Sequence, residues 1–313
     1  MMNPNFIIDA HSHLWLKQDT TWNGKVIRTT HNGRSLFLGE EVQMLPPFMI
    51  DGHNSAEVFL SNMDYAQVSA AVVVQEFIDG LQNDYLSEVM HRYPERFFVC
   101  GMADYLQDGF YEQAASLIAK GFKGLAIPGH RLLDRSLTSD EMMRMFQLME
   151  QQGVILSITL ADGDRQVGEL KEVISACPRL KIAIGHLAMA NPPLSAPWEN
   201  KSWREQIKLA RHEGVMIESG GITWLYNSEF YPFPSAVRAI REAAELVGMK
   251  KLMWGSDYPR TITAITYRMS YDFITKSPLL TEEEKRLFLG ENARRFYGFE
   301  ALKELPYIKN MSE

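Results

Sequence analysis

The chain has 313 residues, 46% of them hydrophobic, and a net charge of −7 at pH 7. The apolar fraction is ample for a globular core, whereas the acidic balance and the lack of basic runs argue against nucleic-acid or anionic-membrane partners. No apolar run reaches the roughly 18–20 residues of a membrane span, and no secretory signal pattern opens the chain. Cys100 and Cys177 stand alone, which suits a reducing compartment. We therefore expect a soluble, cytoplasmic protein.

Short apolar runs alternate with amphipathic stretches along the whole chain. Eight such runs have the composition of parallel strands buried on both faces, namely residues 6–10, 69–74, 97–102, 122–127, 154–159, 181–184, 215–218 and 251–254. Eight strand–helix alternations predict an α/β fold, a (β/α)8 TIM barrel. The alternative is a doubly wound open sheet, but no glycine-rich phosphate-binding motif follows any strand. Because no linker divides the chain, residues 1–313 are expected to form one domain.

Helix starts can be read between some of these strands. Asn54 with Glu57, and Thr281 with Glu284, have the spacing of capping boxes. Both pairs precede stretches with helical spacing of apolar residues, so we expect helices to begin there.

The segment 14–54 is too long for an ordinary connection between a strand and a helix. Within it, KVIRTTHNGRSLFL predicts a hairpin, with Asn32-Gly33 in a type I′ turn. The segment follows the first strand, so it should project from the C-terminal mouth of the barrel, where active sites of this fold lie. We interpret it as a lid; a decorative insertion or a dimer contact is an equal alternative.

Polar residues end three of the predicted strands. His11 and His13 close the first strand, His186 follows the sixth and Asp257 follows the eighth. Strand alternation would place both histidines of the first strand on one face, together with Ile7 and Asp9. Three imidazoles and a carboxylate at one barrel mouth suit a mononuclear divalent metal site, for which Zn²⁺ is the expected ion.

The motifs DAHSHLW, GHLAMANPP, WGSDYPR and LGENARRFYGF, in this order, resemble the amidohydrolase superfamily in its amidohydrolase-related (amidohydrolase 2) branch. The resemblance runs from the first strand to about Phe299. It implies that His11, His13 and Asp257 bind the metal, that Asp257 also acts as general acid and base, and that His186 orients the substrate or water. His186 is the fourth candidate ligand.

One position departs from the family pattern. Metal-binding members carry another histidine at the end of strand five, where this chain has Thr159, a poor Zn²⁺ ligand. No lysine or glutamate stands at the tip of strand four to bridge two metals, since Lys123 lies at its start. The lactone hydrolases of the branch include members that lack the fifth-strand histidine, and some work without metal. Thr159 therefore favours lactone hydrolysis and keeps a metal-free mechanism open.

Further residues near the strand ends are candidates for substrate binding. They are Glu76, His130, Arg131, Thr159, Trp224 and Arg260. A guanidinium such as that of Arg260 can bind a substrate carboxylate through two parallel hydrogen bonds. Exposed loop positions are the plain alternative for the charged residues, and an oligomer interface is the alternative for the aromatic loop that contains Trp224.

Three functions compete at this point. The first is a hydrolase in which activated water attacks a carbonyl carbon, with a sugar lactone or muconolactone as substrate. The second is a nonoxidative decarboxylase of an aromatic or dienoic acid, resembling aminocarboxymuconate semialdehyde decarboxylase. The third is a binding protein without chemistry, which retention of His11, His13, His186 and Asp257 disfavours. The expected partner is a small-molecule substrate, and a homo-oligomer is possible.

Overall fold

The computed structural model describes residues 6–161, 163–189 and 196–311. Its strands, numbered in chain order, are β1 (Ile7–Ser12), β2 (Asp19–Trp22), β3 (Lys25–Thr29), β4 (Arg34–Phe37), β5 (Glu40–Gln43), β6 (Val68–Val73), β7 (Phe97–Gly101), β8 (Gly124–Pro128), β9 (Ile155–Thr159), β10 (Ile182–Ile184), β11 (Val215–Glu218) and β12 (Leu252–Met253). Its α-helices are α1 (Ala56–Ala66), α2 (Asn83–Arg92), α3 (Phe110–Ala119), α4 (Asp140–Gln152), α5 (Arg165–Ala176), α6 (Lys201–Lys208), α7 (Ile222–Leu225), α8 (Pro234–Val247), α9 (Met269–Thr275), α10 (Glu282–Arg286) and α11 (Asn292–Tyr297). Within the described ranges, no helix is long and apolar enough to cross a membrane.

Eight of the strands form one parallel sheet in the order β1-β6-β7-β8-β9-β10-β11-β12. Backbone hydrogen bonds join its two ends, since Ala10 N donates to Trp254 O (2.9 Å) and His13 N donates to Tyr258 O (2.7 Å). Helices lie between successive strands along the chain. The predicted (β/α)8 barrel is confirmed.

Each predicted strand overlaps an observed barrel strand, and the differences are at the ends. The fourth was predicted from residue 122, but β8 begins at Gly124 because Phe122 N still bonds to Leu117 O at the end of α3 (3.2 Å). The interior of the barrel is filled by small and medium apolar side chains: Ile8, Ala10, Ala70, Val72, Val74, Cys100, Ala126, Ile155, Ala183, Met216 and Met253. This packed interior leaves the loops at the strand ends to form a binding site.

The first strand changes face just before its histidines. Ile8 and Ala10 belong to the barrel interior, but the pairing with β6 slips by one residue between Asp9 and Ser12. Such a β-bulge inserts one extra residue and reverses the alternation. The prediction that Ile7 and Asp9 share the face of His11 and His13 is therefore wrong, and the bulge is what turns both imidazoles into the mouth.

The two predicted capping boxes have different outcomes. The box at Thr281 and Glu284 is confirmed, because Glu284 N donates to Thr281 Oγ1 (3.2 Å) and Thr281 N donates to Glu284 Oε2 (2.8 Å). The one at Asn54 is wrong, because the N-cap of α1 is Ser55. Asn54 Nδ2 donates instead to the carbonyl oxygen of His13 (2.6 Å), which holds the end of β1 in place.

The segment between β1 and α1 contains an antiparallel sheet of four strands, β2-β3-β4-β5. The predicted hairpin is present as β3 and β4. Asn32 and Gly33 both have positive φ (52° and 72°), as a type I′ turn requires. Asn23 and Gly24 form an equivalent turn between β2 and β3 (φ 49° and 71°). The prediction missed this second Asn-Gly pair, although its sequence signal is the same.

The four-stranded sheet is attached to the barrel mouth through specific hydrogen bonds. The side chain of Gln18 is fully buried and donates from Nε2 to the carbonyl oxygen of Ile78 (3.1 Å). Trp22 Nε1 donates to the carbonyl oxygen of Arg131 in the loop after β8 (3.0 Å). The sheet therefore lies over the C-terminal ends of the barrel strands, where the sequence placed it.

Candidate active site

A cavity of ≈ 350 Å³ opens at the C-terminal mouth of the barrel. All ten side chains predicted to form a site line it: His11, His13, Glu76, His130, Arg131, Thr159, His186, Trp224, Asp257 and Arg260. These residues come from seven different strand ends or the loops after them. The structure thus brings together every candidate that the sequence indicated.

Three of these side chains converge closely. His11 Nε2 and His13 Nε2 lie 3.1 Å apart, and Asp257 Oδ1 lies 3.1 Å from His13 Nε2 and 3.6 Å from His11 Nε2. All three residues are buried, with exposed fractions of 3%, 8% and 5%. Asp257 has a left-handed backbone (φ 58°), a conformation that carries strain outside glycine and is typical of functional sites.

The outer nitrogens of both histidines are fixed by buried carboxylates. Glu218 Oε1 lies 2.8 Å from His11 Nδ1, and Asp79 Oδ2 lies 2.8 Å from His13 Nδ1. An ionised carboxylate only accepts hydrogen bonds, so each Nδ1 carries the proton and donates it. Both Nε2 atoms therefore face the cavity. Burial lowers the pKa of His13, but Asp79 and Asp257 raise it well above its usual range, so His13 Nε2 donates to Asp257 Oδ1 (3.1 Å) and offers a lone pair to a cation only after it loses that proton. Carboxylates in this outer position orient histidine ligands at metal sites.

His186 has its own hydrogen-bond anchor. Its Nδ1 lies 2.7 Å from the carbonyl oxygen of Gly220, so Nδ1 donates and Nε2 presents a lone pair. Burial and the neighbouring His11 lower the pKa of His186 to about 4, which keeps its ring neutral at pH 7. His186, Leu187 and Ala188 all have left-handed backbone conformations (φ 56°, 49° and 61°). This strained turn places the imidazole at the rim.

The donor set fits a divalent cation. Two lone pairs on Nε2 atoms 3.1 Å apart repel each other unless a proton or a cation lies between them. Ligands about 2.0–2.1 Å from a tetrahedral Zn²⁺ lie about 3.3 Å apart, close to the spacings among His11, His13 and Asp257. One ligand atom each from His11, His186 and Asp257 also falls within 4.8 Å of the others. The mouth thus contains a possible metal site.

The carboxyl of Asp257 is held in its ionised form. Burial raises its pKa, but the hydrogen bond from His13 and the nearby His186 and His11 rings lower it well below the usual range. Its second oxygen, Oδ2, accepts a hydrogen bond from Trp224 Nε1. Both carboxylate oxygens are therefore oriented, one toward the histidines and one toward the indole.

A second group of charges lies on another side of the cavity. Glu76 Oε2 accepts a hydrogen bond from Arg131 Nε, and His130 Nε2 lies 3.6 Å from the same oxygen. Burial raises the pKa of Glu76, but the charges and hydrogen bonds of Arg131 and His130 lower it to about 2. The ring of Trp22 faces the Arg131 guanidinium, with Cζ 5.2 Å from the ring centroid. Glu76 is thus an ionised carboxylate that already has a cationic partner.

Arg260 and Trp224 form the third part of the cavity wall. The guanidinium carbon of Arg260 lies 3.5 Å from the centroid of the Trp224 ring. Within the described part of the chain, the Arg260 side chain makes no hydrogen bond or ion pair, and it is exposed at the mouth. Its guanidinium lines the cavity, where the charge of Asp257 acts on it.

Thr159 ends β9 and lines the cavity where the family pattern has a histidine. Its hydroxyl contacts the Gly185 backbone closely, since a Cβ added to Gly185 would lie 2.7 Å from Thr159 Oγ1. Lys123 precedes β8 and is exposed, away from the strand tip. Of the motif GHLAMANPP, residues 190–193 lie outside the described residues.

Three buried carboxylates support the site without being among the predicted site residues. Asp79 lies in a short 3-10 helix (Phe77–Asp79), and its distance of 66 positions from His13 leaves no spacing signal. Asp9 accepts hydrogen bonds from Ser256 N (2.8 Å) and Tyr267 Oη (2.8 Å), and burial raises its pKa to about 6. Glu218, the last residue of β11, is buried beside His11.

Solved structures with the same fold were found by structural comparison. A probable 2-pyrone-4,6-dicarboxylic acid hydrolase from Acinetobacter baumannii, with citric acid bound, is 18% identical (TM-score 0.71) and covers 93% of this chain and 99% of its own. An amidohydrolase from Burkholderia multivorans with bound zinc is 17% identical (TM-score 0.68; 94% and 99%). The 5-carboxyvanillate decarboxylase of Sphingomonas paucimobilis is 18% identical (TM-score 0.54; 76% and 82%).

Sequence comparison gives the family. No curated protein matched the chain. A profile of the amidohydrolase family matches residues 8–299, which include both histidines of β1, His186 and Asp257. The chain therefore belongs to the amidohydrolase family.

Proposed function

We propose that the protein hydrolyses a lactone, with activated water attacking the ring carbonyl carbon. The observation that carries the proposal is the convergence of Asp257 with His11, His13 and His186 in one cavity that also contains Arg260, whose guanidinium makes no ion pair within the described residues. The hydrolase-like structures support it, because they match 93–95% of this chain, whereas the aromatic-acid decarboxylases match 76–80%.

His11, His13 and Asp257 would hold a divalent cation, for which we propose Zn²⁺, and His186 is the fourth candidate ligand. Such a cation polarises a carbonyl and lowers the pKa of water when it is bound. Thr159 supplies no imidazole, so the ligand set is smaller than in the family pattern, and the same protein residues are also able to act without a cation.

The proton transfers fall to Asp257. Its ionised carboxylate accepts a proton from the attacking water as the water oxygen bonds to the carbonyl carbon. When the bond between that carbon and the ring oxygen breaks, Asp257 returns the proton to the ring oxygen. The products are a hydroxyl, which takes the proton from Asp257, and a carboxylic acid, which ionises and releases the second proton of the water to solvent.

His186 would position the water. Because its Nδ1 proton is committed to Gly220, its Nε2 can accept a hydrogen bond but not donate one. This favours water positioning over oxyanion stabilisation. Arg260 would bind a substrate carboxylate at the mouth, with Trp224 as the surface beneath it.

The four-stranded sheet would act as a lid. Three of its residues, Phe37, Val42 and Gln43, line the cavity together with Met44, which directly follows β5. We propose that the barrel and this sheet form one domain, and that the partner of the site is a small molecule alone.

The test is a panel of sugar lactones, muconolactones and 2-pyrone carboxylates, assayed by proton release after ring opening. The metal content is measured on the same sample before and after chelation. Ring opening that Asp257→Asn abolishes, in a protein whose circular dichroism is unchanged, supports the proposal. Release of CO₂ from aromatic or dienoic acids without ring opening would instead assign the decarboxylase reaction. Full activity in a metal-free sample would remove the cation from the mechanism.

A further inference from the structure

The charges of the cavity wall limit what the substrate can carry. Two guanidinium groups line the cavity, those of Arg131 and Arg260. The Arg131 guanidinium is already paired with Glu76 and stacked on Trp22. The Arg260 guanidinium stacks on Trp224 and makes no ion pair or hydrogen bond within the described residues, although the charge of Asp257 acts on it. Among the described residues, it is therefore the guanidinium of the wall to which no carboxylate is bound directly.

Glu76 is the unusual member of this wall. Its carboxylate lines the cavity, but only 13% of the side chain is exposed, and its Oε1 accepts a hydrogen bond from Phe77 N (2.8 Å). The pairing with Arg131 and the proximity of His130 keep it ionised. Because Glu76 neutralises the charge of Arg131, this part of the wall offers a second substrate carboxylate no net positive charge, whereas the Glu76 oxygens still accept hydrogen bonds from neutral donors.

His130 extends the same side of the cavity. Its Nε2 faces Glu76, whereas its Nδ1 is buried without a hydrogen-bond partner in the described part of the protein. The Glu76–Arg131–His130 side therefore presents a neutral pair and an unused polar atom, which suits hydroxyl or carbonyl groups.

From these contacts we infer that the substrate carries a single carboxylate, bound by Arg260, and that Glu76 excludes substrates with a second carboxylate on its side of the cavity. This inference rests on the proposed function in taking the substrate to be a lactone. The discrimination between one and two carboxylates concerns binding and does not depend on which bond reacts. Glu76 is thereby a specificity-determining residue, and Arg131 holds it in place.

The experiment compares two matched pairs of probes. In the first, 2-pyrone-6-carboxylate and 2-pyrone-4,6-dicarboxylate are hydrolysed by the wild type and by Glu76→Gln. In the second, benzoate and benzene-1,3-dicarboxylate are titrated by calorimetry, which needs no turnover. The control is Glu57→Gln, which removes the same charge outside the cavity. Glu57 lies on α1 and forms an exposed ion pair with Arg92 on α2.

We expect the wild type to prefer the monocarboxylate in each pair by at least tenfold, which corresponds to about 1.4 kcal/mol. Glu76→Gln should raise kcat/KM and affinity for the dicarboxylates at least tenfold and change those for the monocarboxylates less than threefold. Glutamine keeps the oxygen that caps Phe77, so the local helix should persist. Arg260→Met should abolish binding of both benzoate and its dicarboxylate.

The outcomes separate the two proposals. If no lactone is hydrolysed but benzoate binds better than the dicarboxylate and Glu76→Gln removes the difference, the charge discrimination stands and lactone hydrolysis fails. A wild type that favours the dicarboxylates, binds neither benzene probe, or keeps its preference in Glu76→Gln overturns the inference. An equal response of Glu57→Gln would attribute the effect to net charge and also overturn it.

Discussion

The side chains on two sides of the cavity are held in place in different ways. On the side of His11 and His13, every ring is fixed twice, by its strand and by a buried carboxylate, Glu218 or Asp79. On the side of Glu76 and Arg131, the groups stand on loops and hold each other, and Trp22 of the four-stranded sheet stacks on Arg131. The first arrangement restricts the positions of the rings, as proton transfer needs. The second can change with few structural consequences, as substrate selection needs.

The two sides should respond differently to substitution. Changes on the histidine side should affect kcat and cation affinity, because they alter positions that the reaction uses directly. Changes on the Glu76 and Arg260 side should affect KM and substrate choice.

The largest effect is expected for Asp257→Asn. Asparagine preserves size and the contact with Trp224 but cannot accept the water proton, so kcat should fall by about 10³–10⁴-fold with little change in KM. Steady-state kinetics on the best lactone of the panel measures this, with circular dichroism as the check of folding. A variant within tenfold of the wild type would exclude Asp257 as the general base.

Asp79→Asn should weaken cation binding by about 10–100-fold without unfolding the protein. The amide of asparagine can donate a hydrogen bond to His13 Nδ1. The proton of His13 is then no longer held on Nδ1, and Nε2 is less available to a cation. Competition with a chelator measures the Zn²⁺ affinity of wild type and variant. The control is Asp64→Asn, which removes an ion pair with Arg96 on the outside of the barrel. Equal affinity in Asp79→Asn and wild type would assign Asp79 a purely structural role.

The residues that stand on strand ends could be predicted from the sequence. His11, His13, His186 and Asp257 end buried apolar runs, and parallel strands in a barrel must bring such ends to one mouth. The barrel topology was therefore enough to predict that these four residues converge, although it predicts no distance between their side chains. The family resemblance added the roles that these residues play.

Other features had no local signal. The bulge after Asp9 depends on the register against β6, and a single strand does not encode a register with its neighbour. The pairing of Glu76 with Arg131 joins two loops 55 positions apart, so each charge alone is read as a possible substrate contact. By contrast, the Asn23-Gly24 turn of the four-stranded sheet carried a recognisable signal that the prediction overlooked.

Arg260→Met tests the substrate side. Methionine keeps apolar contact with the Trp224 ring but has no charge, so KM for a lactone monocarboxylate should rise about tenfold or more while kcat changes little. Saturation kinetics separates the two constants, and Arg260→Lys should lie between wild type and methionine because it keeps the charge without the fork. A fall in kcat at unchanged KM would place Arg260 in the chemical step and contradict the division into two sides.

The smallest effect is the acid dependence of the Glu76–Arg131 pair. The folded protein lowers the pKa of Glu76 from 4.5 to about 2, so the pair stabilises the fold fully above pH 4.5 and loses this contribution as the pH falls toward 2. That shift corresponds to about 3 kcal/mol. Partial exposure weakens the pair, and glutamine keeps one hydrogen bond, so the expected difference in the free energy of unfolding is about 1 kcal/mol. Urea unfolding should find Glu76→Gln less stable than wild type by this amount at pH 7 and equal to it near pH 2. A stability difference that stays constant over this range would mean that Glu76 stabilises the loop through packing and its cap to Phe77, rather than through its charge.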